Sequence, residues 1–160
     1  MGRIRNAAIA YTDTIPAAPP RVYRVLADYR THHPAIVPKD VFRRVEVLAG
    51  GIGAGTRFEL ESQLMGTITV AQFDVTEPEP GRVLVETMTD GAIQTTFTVA
   101  PDDAGRATRL TLATEYTLPG GIFLPLLGWV TGNILRGVFR REVALIARYI
   151  AEDRDLKSAE

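Results

Sequence analysis

Apolar and polar residues alternate along most of this chain with the two-residue period of a strand, and take the period of a helix only near its two ends. Ala7 to Ile15 alternates loosely and predicts a first strand. Pro16, Pro19 and Pro20 stop it, and a proline suits the first turn of a helix, where its missing N–H has no partner to lose. Val22, Val25, Leu26 and Tyr29 then recur at helical spacing, which predicts a short amphipathic helix over Pro20 to Asp28. A second short turn falls between Thr31 and Ile36, bounded by Pro34 and Pro38.

Val41 to Leu48 alternates as the next strand and runs into the glycines Gly50, Gly51, Gly53 and Gly55. Thr56 to Met65 is the clearest strand: Phe58, Leu60 and Leu64 share one face, and Arg57, Glu59, Glu61 and Gln63 the other. Thr67 to Thr76, Arg82 to Met88, Ile93 to Ala100 and Ala107 to Thr117 continue as strands joined by Gly66, E-P-E-P-G, D-G and P-D-D-A-G turns. From about Gly121 to Glu152 the period becomes helical. Leu135, Val138, Phe139, Ile146, Tyr149 and Ile150 form a stripe with Arg136, Arg140, Arg141 and Arg148 mostly off it. Pro125 and Gly128 predict a break or kink before the straight part.

Each strand needs one covered face, and only the last helix is long enough to cover them. The fold expected is α+β: a curved antiparallel sheet of about seven strands wrapped around a long C-terminal helix, with two short helices after the first strand. At 160 residues the chain reads as a single domain over 1–160, large enough to bury a core without disulfide or metal staples.

With 18 basic and 19 acidic residues the net charge is only -1, which offers no field for phosphate backbones and excludes nucleic acid as the expected partner. Zero cysteines exclude disulfides, thiolate metal sites and cysteine nucleophiles. The basic N-terminus is interrupted by Thr12 and Asp13 before a signal-peptide core can form, so a cytoplasmic location is expected. Tyr116 to Leu135 carries no charge, but its prolines, glycines and Asn133 would make a poor membrane helix, and no stable membrane span is expected.

The G-G-I-G-A-G loop is followed by a strand, whereas a dinucleotide fingerprint needs a helix there, so it reads as a flexible hairpin loop. His32 and His33 are the only histidines; adjacent in a short helix and without a third ligand nearby, they predict a capping or rim role rather than a metal site. No cofactor is expected, and without a G-x-S-x-G elbow a nucleophilic hydrolase has no support. Two carboxylates break their own pattern. Asp13 shares a strand face with Ile9, Tyr11 and Ile15, and Glu142 lies in the apolar stripe of the long helix between Phe139 and Ile146. An inward carboxylate must find a partner or hold its proton, so each is either a salt-bridge or capping group or a ligand-orienting or general-base group. Asp13 ranks first of the two.

The strand-to-helix entry Ile15 to Tyr29, D-Y-R-T-H-H-P (Asp28 to Pro34), the glycine loop, T-E-P-E-P-G-R (Thr76 to Arg82) and R-E-V-A-L-I-A-R-Y (Arg141 to Tyr149) sit at fixed places in this order. Together they resemble the START/Bet v 1-like superfamily, also called the helix-grip or SRPBCC fold, in its polyketide cyclase/dehydrase-like branch. The resemblance covers about residues 7 to 152 and implies a cavity between the concave sheet and the long helix, usually for an apolar ligand. It also places the first strand beside the last, bringing Tyr116 near Asp13. It identifies a fold better than an activity.

On that footing Phe58, Leu60, Phe97, Leu112, Tyr116, Trp129 and Asn133 are expected to line a site for a small hydrophobic or aromatic ligand, lipid- or polyketide-like, with Asp13 and Tyr11 as polar contacts. The alternative is a polyketide cyclase/dehydrase-type enzyme in the same cavity, with Asp13, Tyr11 and Tyr116 as weak catalytic candidates. A third reading is an interaction module without a ligand, docking a homodimer partner through Ile122, Phe123 and Trp129.

Overall fold

The computed structural model describes residues 5–118 and 124–153. Strand β1 (Arg5–Ile15) leads into helix α1 (Pro19–Ala27) and the one-turn helix α2 (His33–Ile36). Strands β2 (Phe42–Ala49), β3 (Arg57–Leu64), β4 (Thr67–Glu79), β5 (Val83–Met88), β6 (Ile93–Asp102) and β7 (Ala107–Leu118) follow, and helix α3 (Leu124–Glu152) comes last. The strands form one seven-stranded sheet in the order β1-β7-β6-β5-β4-β3-β2, antiparallel at every pairing. Two short helices after β1, a meandering sheet and a long helix packed on it are the layout expected from the hydrophobic pattern, and the helix-grip fold that the resemblance implies.

β1 and β2 are opposite edges of the sheet, yet only α1 and α2 separate them in sequence. The helices must therefore cross from one edge to the other. α1 does so beneath β6 and β7 and against α3, burying Val22, Tyr23, Val25, Leu26 and Ala27. Pro19 and Pro20 start it in the first turn, where no N–H is needed. Register shifts in β2 at Phe42/Arg44 and Val47/Ala49, and in β4 at Thr76/Glu79, add the local twist that curls the sheet. The β4 shift also explains why the strand runs on to Glu79, where the proline-rich sequence predicts a turn after Thr76.

Directly paired residues share a face, so the concave side reads as rungs across the strands. Leu84, Phe97 and Leu112 make one rung and Val99 and Leu110 the next; with Ile15, Val22, Val25, Leu26 and Ile146 they fill one end of the bowl completely. The convex face carries exposed pairs such as Arg57–Asp74 at 2.7 Å and Arg44–Glu59 at 2.9 Å, each worth about 0–1 kcal/mol. Helix α3 runs unbroken from Leu124 through Pro125 and Gly128, so the predicted break is not there; Pro125 falls in its first turn, where a proline is tolerated. Its C-terminal half packs Val143, Ile146 and Ile150 on the closed end. Its N-terminal half spans the rest of the bowl. Among the described residues no helix is long and apolar enough to cross a membrane.

A cavity with an acidic floor

Between the N-terminal half of α3 and the concave face lies a cavity of about 400 Å³, inside the roughly 300–1,000 Å³ of small-molecule sites. Thr131, Leu135, Phe139 and Glu142 cover it from the helix, at spacings that keep them on one stripe. Below them the sheet supplies Phe58, Phe73 and Met88 on one rung, Leu60 and Ala71 on another, and Ile93 with Tyr116 further along. The walls are mostly apolar, interrupted by Ser62, Thr69, Thr117 and Thr131. The floor is not.

The floor is the rung where Glu86 of β5 pairs with Thr95 of β6, which in turn pairs with Thr114 of β7. The two threonine hydroxyls bond each other at 2.8 Å. Glu86 receives a 2.6 Å hydrogen bond from the Tyr29 hydroxyl on Oε1 and lies 3.5 Å from Nε2 of His33. Burial pushes the Glu86 carboxyl up, against the lowering effects of His33 and of the Tyr29 bond. Glu142 descends from α3 toward the same floor. It is 4% exposed and, among the described residues, no side chain or backbone group hydrogen-bonds to it. Burial, helped by the charge of Glu86, pushes its carboxyl up to about 8, so it holds its proton at neutral pH.

Tyr29 and His33 are held by the chain around them. Asp28 ends α1, and its Oδ1 accepts the backbone N–H groups of Arg30 and Thr31 at 3.0 Å, turning the chain inward. The glycine loop then clamps the turn: the Tyr29 N–H donates to Gly51 O at 2.9 Å, and the Gly53 N–H to Ala27 O at 2.8 Å. Gly51 and Gly53 have φ of +134° and +58°, and a Cβ on either would collide with Arg30 or Glu77 respectively. The loop predicted to be a flexible hairpin is thus a fixed brace for Tyr29. Phe73, Phe58, Tyr29 and His33 stack as a column, with ring centroids 5.4, 4.9 and 4.4 Å apart in that order.

His33 Nδ1 lies 2.8 Å from Leu26 O, which can only accept, so Nδ1 carries a hydrogen. Its Nε2 then faces Glu86 Oε1 at 3.5 Å, and His33, Glu86, Tyr29 and Glu142 form one polar cluster under a mostly apolar chamber.

Of the residues expected to line a site, Phe58, Leu60, Phe97 and Tyr116 stand on the cavity wall. Leu112 does not; it lies one rung behind the floor, fully buried in the closed end. Trp129 and Asn133 point away. Each sits two residues from an inward-facing position, Thr131 or Leu135, and therefore roughly 200° around the helix. Trp129 is 68% exposed, and the exposed Asn133 donates from Nδ2 to Trp129 O at 2.8 Å. Asp13 and Tyr11 lie on the edge strand outside the cavity, where Tyr11 donates to Asp13 Oδ2 at 3.0 Å and the Thr14 N–H to Oδ1 at 2.8 Å. Asp13 pairs with Leu110 while Tyr116 pairs with Ala7, so about 20 Å of strand separates the two residues expected to meet. Ile122 and Phe123 lie outside the described residues. His32 faces away from the cavity, 2.8 Å from the Tyr149 hydroxyl. Among the described residues, no group of three or more His, Cys, Asp or Glu is arranged to hold a metal ion.

Fold and site together define a helix-grip protein with a chamber between sheet and helix. The family described as polyketide cyclase / dehydrase and lipid transport matches residues 6–151, and the chain belongs to it. A search of curated protein sequences gives no significant match. Among solved structures the chain is similar to the KanY protein, with 23% identity and a TM-score of 0.75 over 92% of this chain and 99% of that one. It is also similar to TTHA0849 from Thermus thermophilus, with 23% identity and a TM-score of 0.73 over 96% of this chain and 100% of that one. Norcoclaurine synthase from Thalictrum flavum, solved in complex with dopamine and hydroxybenzaldehyde, matches at 16% identity and a TM-score of 0.70 over 94% of this chain and 90% of that one.

Proposed function

We propose that the protein binds one small, largely apolar molecule in this cavity, with the molecule's polar end on the floor formed by Glu86 and Glu142. The observation that carries the reading is Glu142, a buried, protonated carboxyl with no hydrogen-bond partner among the described residues, turned into an apolar chamber. A stable core has no use for such a group, since an unsatisfied buried polar group costs about 1–3 kcal/mol. A bound molecule would supply the missing partner. Family membership supports an apolar ligand. The norcoclaurine synthase complex supports the idea that this fold encloses small aromatic molecules.

A second reading, an acid–base enzyme of the cyclase or dehydrase kind, is favoured by the same floor. A carboxyl that exchanges its proton near pH 8 beside a Tyr–Glu–His network is suited to general acid–base work on a confined substrate. Native mass spectrometry of freshly purified protein, followed by denaturing extraction, tests the first reading. A discrete small molecule travelling with the folded chain is expected. If none is found and a neutral dye such as Nile red also fails to bind at micromolar protein, the binding reading falls.

A further inference from the structure

We propose that the ligand carries a protonated amine at its polar end, seated between Glu142 and Glu86, and that the cavity turns away carboxylate- and phosphate-headed molecules. This rests on the binding reading above and names its ligand class.

The first ground is the charge inventory of the chamber. The described residues that line it include two carboxyls and one imidazole, and no lysine or arginine. The uncharged stretch from Tyr116 to Leu135 adds none. An anionic head group would be desolvated among acids with no full positive charge reserved for it, which is costly.

The second ground is which hydrogen-bonding groups are already engaged. The Tyr29 hydroxyl donates to Glu86, His33 Nδ1 to Leu26 O, and the Thr95 and Thr114 hydroxyls bond each other. On the floor, what remains open among the described residues is Glu86 Oε2, both oxygens of Glu142 and one hydroxyl hydrogen of the threonine pair; the other open hydroxyls, those of Ser62, Thr69 and Thr131, are on the walls and carry no charge. An ammonium has three donors and no acceptor, so it matches three open carboxylate oxygens. A neutral carbonyl can only take the single proton of Glu142, and a hydroxyl can in addition donate to one carboxyl oxygen, so either leaves at least one of the three unanswered.

The proton balance follows. In the free protein Glu142 is protonated at neutral pH, with Glu86 of β5, His33 of α2, Tyr29 after α1 and Tyr116 of β7 around the same chamber. An incoming ammonium pairs with a carboxylate, so the Glu142 proton leaves to solvent. Ammonium binding therefore strengthens as pH rises through neutrality and levels off above about 8, where the free carboxyl is already ionised. Binding of a neutral isostere has no such rise.

The test compares naphthylethylamine, naphthylethanol and naphthylacetate by isothermal titration calorimetry, since the ring is the same and only the head differs. Near pH 8 the amine is expected to bind at least about tenfold tighter than the alcohol, and the acid at least about tenfold more weakly than the alcohol. Glu142→Gln should abolish the amine's advantage while the alcohol still binds. In the unmodified protein near pH 7, heats measured in buffers of different ionisation enthalpy should show up to about one proton released per amine bound, a readout independent of how the variant folds. If the alcohol or acid binds as tightly as the amine, or no proton is released, the inference is overturned and the binding reading stands. If none of the three binds, both are overturned.

Discussion

Glu142 on α3 and Glu86 on β5 reach the same closed end of one apolar chamber from opposite layers, and among the described lining residues no lysine or arginine meets either. The charge of Glu86 makes it harder for Glu142 to ionise. Two buried acids without a full cationic complement work against folding, because an apolar pair of similar volume would pack there at lower cost. This is the pattern expected where a site, rather than the core, dictates the residue.

The pH dependence of stability reports on Glu142 directly. Unfolded, its carboxyl titrates near 4.5; folded, it keeps the proton up to about 8. Between those values the native state holds more protons than the unfolded state. Stability from this group is therefore fully present below about pH 4.5 and declines as pH rises through the window, by up to about 5 kcal/mol in all. Glu142→Gln removes the term, so the variant should be about 1–3 kcal/mol more stable than the parent near pH 7 and no more stable near pH 4. Urea unfolding across that range measures it, and an advantage that does not grow with pH would refute the assignment.

The Tyr29–Glu86 bond should behave as a charge-assisted contact in a dry site. Tyr29→Phe leaves Glu86 with one fewer donor and is expected to cost about 1–3 kcal/mol. In a cycle with Glu86→Gln the two losses should be non-additive by about 1–2 kcal/mol. Additive losses would mean that the 2.6 Å contact contributes nothing.

The glycine brace is a further point of leverage. Gly53→Ala places a methyl group against Glu77, whose Oε1 accepts from Tyr23 at 2.5 Å and whose Oε2 accepts the Ala54 N–H at 2.7 Å. With the left-handed φ at this position, a loss of about 1–3 kcal/mol is expected. Gly55→Ala has the same sign of φ but open space around it, and should cost less. Equal losses in thermal denaturation would show that backbone strain alone, and not the brace, sets the cost.

Much of this was legible in the chain, and the rest was hidden for identifiable reasons. β3 declared its faces because Arg57, Glu59 and Glu61 alternate with Phe58 and Leu60. Glu142 was visible because it interrupts an apolar helical stripe, although Asp13 looked the stronger break. Asp13 does share the inward face of β1, but on an edge strand a side chain can reach solvent without leaving its face. Glu86 gave no usable signal: it interrupts the Leu84–Met88 face of β5, but Val83 and Val85 make the opposite face apolar too, so the pattern does not say which face turns inward. His33 sits in a four-residue helix, too short for any period to show which way it points. Trp129 was misplaced for the opposite reason: around it the helix is apolar on every side, so only packing decides which side turns inward.

That last distinction separates the cavity from its surroundings by experiment. Ala71 lies on the wall beside Leu60, and Ala71→Phe projects a ring into the chamber, away from the closed core that holds the fold together. Overpacking is expected to cost about 1–3 kcal/mol, which a chamber with free volume should reduce toward the lower end. Binding of Nile red or naphthylethanol should fall at least about tenfold, because the ring occupies the space the probe needs. Trp129→Ala removes a larger side chain from the outer surface of the same lid helix and should leave both stability, within about 0.5 kcal/mol, and probe affinity unchanged. The comparison is decisive in both directions. If Trp129→Ala weakens binding while Ala71→Phe does not, the ligand sits on the outside of α3, and the chamber over Glu86 and Glu142 is not the site.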